Sequence, residues 1–131
     1  MALSWSGALA VFVGAGLGAV LRWWLSLWLN PVFPTVPLGT LAANALGGLL
    51  VGMLVALLAH FNHLAVEWRL FAVTGVMGGL TTFSTFSVEV VTLIQRAQYG
   101  WALLAASTHL GVSLVLTAMG LGLTRWVLLR T

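Results

Sequence analysis

The sequence predicts an all-α membrane protein with four transmembrane helices in one domain, residues 1–131, and three observations carry that expectation. Hydrophobic residues make up 61% of the chain and charged residues 5%, too little charge to cover a water-facing surface. The charged side chains are Arg22, Glu67, Arg69, Glu89, Arg96, Arg125 and Arg130, and all but Arg22 and Glu89 fall near the ends of apolar runs. Those runs are long. A spanning helix needs roughly 20 apolar residues, and four such segments with short connections use up the length.

The first segment runs from about Leu3 to Leu29 and stops at Asn30-Pro31, a turn signal followed by Pro34 and Pro37. The second covers about Leu38 to Ala59. A polar connection, HFNHLAVEWR, follows with His60, His63, Glu67 and Arg69. The third is expected from about Leu70 to Gln95 and the fourth from about Trp101 to Leu129. The amino-terminal run has no positive leading region and no small-residue cleavage pattern, so it reads as a retained span. All seven tryptophans, Trp5, Trp23, Trp24, Trp28, Trp68, Trp101 and Trp126, lie near segment ends with Tyr99 beside them. Indole favours the headgroup level, where one edge is wet and the body is not.

Charge and cysteine content exclude several function classes. The net charge of +3 rests on five scattered arginines, which form no basic stripe along a phosphate backbone, so no nucleic-acid partner is expected. With no cysteine there is no disulfide, thiolate metal site or cysteine nucleophile. Four spans put Arg69, Arg125 and Arg130 on one side and Arg96, with Arg22 near it, on the other. Arginine normally accumulates on the cytoplasmic side, and this chain shows almost no such bias. Two readings stay open: insertion in both orientations with pairing into an antiparallel dimer, or one orientation set by other features. Gly14 with Gly18, Gly48 with Gly52, and Gly75 with Gly79 each recur at four-residue spacing, a pattern that brings membrane helices together. It supports a compact, oligomeric bundle.

The third segment departs from a simple apolar helix. Its stretch TGVMGGLTTFSTFSVEV sets Gly75, Gly78 and Gly79 just before Thr81, Thr82, Ser84, Thr85 and Ser87. Glycine permits a left-handed turn at a helix end and a hydroxyl caps the next start. The expectation is a helix ending near Gly78 and another beginning near Thr82, a break at mid-membrane. Freed backbone groups there cost several kcal/mol each, roughly, unless protein or a polar cavity covers them, which makes the break an ion-site candidate. The alternative is a continuous helix whose hydroxyls bond back to their own carbonyls.

Other residues join this region. Phe83 and Phe86 share a helix face, and aromatic edge hydrogens can favour a partly desolvated anion, although packing is the commoner role of phenylalanine in a span. Asn44 lies deep in the second segment, where its amide can serve an anion or a neighbouring helix. His109, Ser113 and Thr117 form a polar stripe on the fourth segment, suited to a wet path or explained by hydroxyl back-bonding. Arg22 and Glu89 need partners. Arg22 can snorkel or bond carbonyls of the broken helix, and Glu89 can face a vestibule.

At these residues the chain resembles a known family. GAGLGAVLRWW, GTLAANALGGLLVG and especially GGLTTFSTFSVE are similar to the motifs of the Fluc (CrcB) fluoride channels, in the same order and over the whole length. The resemblance implies a dual-topology, antiparallel homodimer in the lipid bilayer of a cell inner membrane. Its two pores export fluoride passively and lower cytoplasmic fluoride. It further implies that Phe83 and Phe86 line the pore, that Asn44 donates a hydrogen bond to the anion, and that Ser84, Thr85 and Ser113 border the path. Carbonyls of Gly78 and Thr81 would hold a structural Na⁺ at the dimer interface, two from each subunit. Arg22, Glu89 and His109 take structural or vestibule positions. A small multidrug-resistance exporter would need an acid in the first span, which has none. A hydrolase built on Ser84 and His109 lacks supporting spacing, so no enzyme is expected. A structural subunit of a larger complex is the remaining rival.

Overall fold

Hydrocarbon offers backbone amides no water, so this sequence must close them inside helices. The computed structural model describes residues 4–130, leaving Met1, Ala2, Leu3 and Thr131 outside, and with them the expected start of the first segment at Leu3. Among the described residues every long element is helical, and four helical segments are long and apolar enough to cross a membrane.

Helix α1 spans Trp5–Leu29 and is capped by Ser4, whose hydroxyl accepts the Gly7 amide hydrogen. A short 3-10 turn at Asn30–Val32 then leads to α2, Leu38–His60. Pro37 precedes α2 and has no capping side chain; Asn30 supplies the acceptor instead, taking the Gly39 N–H at 2.8 Å. Helix α3 comprises Val66–Arg69, a widened π-helical stretch Leu70–Met77 and a last turn Gly78–Leu80. It therefore begins a turn earlier than expected, taking in Glu67 and Arg69. After Thr81 and Thr82, α4 runs over Phe83–Gln95 and α5 over Tyr99–Leu128. The α4–α5 corner is closed by Ala97 in the left-handed region, φ 56°, with the Gln98 amide returning to the Leu93 carbonyl at 2.9 Å. That is the bonding of a helix terminus normally ended by glycine.

The start of α1, the end of α5 and the α2–α3 connection share one end of the bundle. Ser6 donates to Glu67 at 3.0 Å, and Arg69 donates to the carbonyls of Leu58 and Asn62 at 3.1 and 3.2 Å. At the opposite end Phe33 meets the Trp101 ring at 5.4 Å between centroids, above a buried cluster of Val36, Leu93, Ala102 and Ala105.

The glycine pairs do their work within the chain. Gly14 and Gly18 set α1 against Phe71, Gly75, Val76 and Leu80 of α3, while Gly48 and Gly52 set α2 against Ser113, Thr117 and Leu121 of α5. Helices α1 and α3 thus form one close pair and helices α2 and α5 another. Ala43, Met77 and Leu80 join the pairs in a buried centre. A β-carbon on Gly52 would run into the Thr117 carbonyl, with the Leu121 nitrogen 2.9 Å away, whereas one on Gly16 meets nothing. Gly52→Ala is expected to lower stability by about 1–3 kcal/mol, the usual cost of overpacking, and Gly16→Ala to be neutral. Thermal melting in detergent checks both, and equal midpoints for the two variants would refute the α2–α5 packing.

Candidate functional site

The centre of the molecule is built around a backbone that stops being helical. Thr81 (φ −85°, ψ 152°) and Thr82 (φ −150°, ψ 112°) are extended between the last turn of α3 and the start of α4. Helicity continues past Gly78, which has ordinary right-handed torsions (φ −62°, ψ −35°), and no described glycine has a positive φ. The expected glycine-terminated end near Gly78 is thus corrected: the departure comes at two threonines, three residues later. Their surroundings explain why. Gly47 of α2 has no β-carbon and admits the Thr81 methyl group. The Thr81 hydroxyl bonds back to the Met77 carbonyl at 2.8 Å, and Thr82 caps α4 by accepting the Thr85 amide at 3.1 Å, as a hydroxyl at a helix start should.

Asn44 holds the departure from the facing helix. Its Oδ1 accepts the Thr82 N–H at 2.8 Å, and its Nδ2 donates to the Thr82 carbonyl at 3.1 Å. One side-chain amide therefore satisfies both polar groups of one extended residue. The same Nδ2 lies 3.4 Å from His109 Nδ1. Arg22 takes one of its two expected alternatives: its Nε donates to the Gly79 carbonyl at 3.0 Å.

These diversions release particular carbonyls. In an uninterrupted helix the Thr82 amide would cover Gly78 and the Thr85 amide would cover Thr81. Here the first goes to Asn44 and the second to the Thr82 hydroxyl. Gly78 is exposed on the single chain, and a side chain there would meet only the Val73 carbonyl, 4.0 Å away. Two neutral carbonyl oxygens without those amides are hard donors, the class that suits an alkali cation.

The aromatic pair stands at the start of α4. Phe83 and Phe86 have centroids 5.6 Å apart at 60°, with Phe83 80% exposed. Phe86 lies 4.6 Å from the His109 ring. Ser84 and Thr85 are exposed beside them and linked through the Thr82 hydroxyl at 3.3 and 2.9 Å. Further along, Glu89 accepts a hydrogen bond from Thr40, a turn before Asn44 on α2. Ser113 lies one turn beyond His109 on α5, its backbone against Gly48.

The structure thus gathers Asn44, Thr82, Phe86 and His109 into one contact group and ties Arg22 to the same break. Glu89 sits a turn away with Thr40. Back-bonding accounts for Thr81, Ser87 and Thr92. Two contributors escaped the sequence reading, Thr40 and the backbone of Thr82. Thr40, Asn44 and Gly48 recur every four residues, which was the available signal for Thr40.

Four helical segments able to cross a membrane, with Asn44, Thr82, Phe86 and His109 gathered between them, define a multi-pass membrane protein with a polar centre. The family model described as CrcB-like protein, Camphor Resistance (CrcB), matches residues 9–121, and the chain belongs to that family. It is similar to curated proteins named fluoride-specific ion channel FluC. The one from Nitrosospira multiformis is 53% identical over 118 residues, 90% of this chain and 92% of that protein. The Burkholderia cenocepacia protein, strain J2315, is 57% identical over 116 residues, 88% and 91% of the two chains. The Pseudomonas paraeruginosa protein is 52% identical over 124 residues, 95% and 98%.

Proposed function

We propose that this protein is a fluoride-selective ion channel that lets F⁻ leave the cell passively across the inner membrane and so lowers cytoplasmic fluoride. The observation that carries the reading is the group of neutral donors and ring edges at the break, in a chain whose relatives are named for fluoride conduction. A pore must attract its ion enough to offset dehydration yet release it. Aromatic edges and amides meet that need without a fixed charge in the path, and Arg22 is engaged with the Gly79 carbonyl.

Phe83 and Phe86 present ring edges to the anion in succession. Asn44 reaches it with the hydrogen that otherwise makes only the 3.4 Å contact to His109, keeping its hold on Thr82 through the other. Ser84, Thr85 and Ser113 supply hydroxyls along the route, and Glu89 stands at its mouth. Two copies assemble antiparallel into a dual-topology homodimer with two pores. The exposed break supports this, since Gly78, Phe83, Ser84 and Thr85 lie uncovered on the single chain and polar backbone cannot face lipid. The carbonyls of Gly78 and Thr81 would hold a structural Na⁺ between the copies; bound there, it supplies a positive charge that joins the two breaks. Near-equal arginine counts on the two sides fit such an assembly.

Purified protein in liposomes is expected to release F⁻ when a potential is imposed, with little Cl⁻ flux. Equal release of both ions, or of neither, would overturn the reading. Cysteine tags that react from only one side of the membrane would remove dual topology while leaving conduction standing.

A further inference from the structure

Where the ends of α2 and α5 meet, the chain leaves a recess. Ala56, Ala59, His60, Arg125, Leu128 and Leu129 line a cavity of about 340 Å³. Its room comes from the two alanines, which are short beside the leucines opposite them. His60 is the final residue of α2 and Arg125 lies in the last turn of α5, so two nitrogen-bearing side chains share the recess with four apolar ones. The depth is that of lipid headgroups: Trp5, Trp68 and Trp126 are exposed at this same end, and indole gathers there. Ala56 stands about 18 Å along α2 from Asn44, so the recess is separate from the broken centre.

Charge is left over at this place. Five arginines stand against two carboxylates, and the carboxylates are engaged by Ser6 and Thr40. Arg22 bonds the Gly79 carbonyl, Arg69 bonds those of Leu58 and Asn62, and the Arg130 guanidinium lies 3.7 Å from the centre of the Trp126 ring. Arg125 and Arg96, at opposite ends of the bundle, have no hydrogen bond, ion pair or ring contact among the described residues. Of these two, Arg125 lines the recess. The His60 ring is steadied edge-on against Phe61, centroids 4.8 Å apart at 81°. Snorkelling and the helix dipole account for an arginine near the end of α5, but not for the apolar hollow it shares. A free inorganic anion would use the guanidinium and leave the alanine and leucine wall wet. A phospholipid uses both.

We propose that the recess between the ends of α2 and α5 binds an anionic phospholipid, its phosphate held by Arg125 and a ring nitrogen of His60 while an acyl chain lies along Ala56, Ala59 and Leu128. The planar guanidinium matches phosphate with two parallel hydrogen bonds. A zwitterionic lipid carries its own cation beside the phosphate, so the site favours phosphatidylglycerol over phosphatidylcholine. Bound there, the lipid bridges α2 and α5 beyond Gly52, the last glycine contact that α2 makes with α5. The site stands whether or not the chain conducts fluoride.

Native mass spectrometry of the full chain in detergent, titrated with phosphatidylglycerol or phosphatidylcholine, reads the first lipid retained per chain. Wild-type protein is expected to fill with phosphatidylglycerol at a several-fold lower concentration than with phosphatidylcholine. Arg125→Gln should raise the half-filling concentration of phosphatidylglycerol about fivefold, the value of one arginine at an anionic lipid. Arg96→Gln removes the same charge from the opposite end and should leave that concentration unchanged. Ala59→Phe fills the recess while keeping both nitrogen-bearing side chains, and should weaken retention as Arg125→Gln does. Equal weakening by Arg125→Gln and Arg96→Gln would overturn the proposal, and so would wild-type retention in Ala59→Phe. Melting of wild-type protein in detergent gives a test that needs no variant to fold: phosphatidylglycerol should raise the midpoint, and phosphatidylcholine or inorganic phosphate should not. A midpoint blind to the choice of lipid would end the proposal, and an equal rise with inorganic phosphate would replace the lipid by a free anion.

Discussion

Asn44→Leu is expected to lower stability by about 2–4 kcal/mol, because it strips the Thr82 N–H and carbonyl of their partner together and each buried orphan costs about 1–3 kcal/mol. Leucine fills similar space, so the loss reports the missing amide and not a cavity. Thermal melting of purified protein in detergent should show a midpoint several degrees below wild type, with fluoride release falling alongside. Asn44→Asp keeps an acceptor for the Thr82 N–H but turns an oxygen toward the Thr82 carbonyl, so it should not rescue. If Asn44→Leu melts with wild type, some other group holds the break, and Asn44 is not what keeps the two threonines extended.

The second large effect concerns conduction without stability. Phe83→Ile and Phe86→Ile replace ring edges by aliphatic branches, and an aromatic contact of about 1 kcal/mol translates into a several-fold to tenfold loss of fluoride flux for each. Phe83 is mostly exposed on the single chain, so its replacement should leave the melting midpoint of the subunit nearly unchanged. Phe86 contacts both Phe83 and His109; the double variant should lose less than the product of the singles, as coupled sites do. Flux measured in liposomes against protein amount decides this. Full throughput in both single variants would remove the ring-edge role.

Hydropathy made the four spans legible, because a membrane leaves few alternatives for long apolar runs. Their borders moved little, chiefly at Val66–Arg69, where Glu67 and Arg69 suggested a loop although a helix end accepts them readily. The interruption was legible, with its far edge at Thr82, but the way the first half ends was not. Glycine invited a left-handed stop at Gly78, while the helix ends where Gly47 admits Thr81 and Asn44 claims Thr82. That choice depends on a residue 38 positions away in sequence, which no local pattern encodes. For the same reason the glycine pairs announced close packing without naming their mates. They proved to join α1 to α3 and α2 to α5 inside one chain. Arg22 offered two fates of similar plausibility, and only the reach of its side chain to Gly79 decided between them.

The Asn44–Thr82 pair also bears on how the protein is made. A third span with two exposed peptide groups is a poor candidate for release into lipid by itself. Synthesis proceeds from the amino terminus, so α2 is already in place when Thr82 emerges, carrying the amide those groups require. The order of helices along the gene is thus also an order of assembly: a version of the chain with α2 moved behind α4 would present the break to the bilayer before its cover existed.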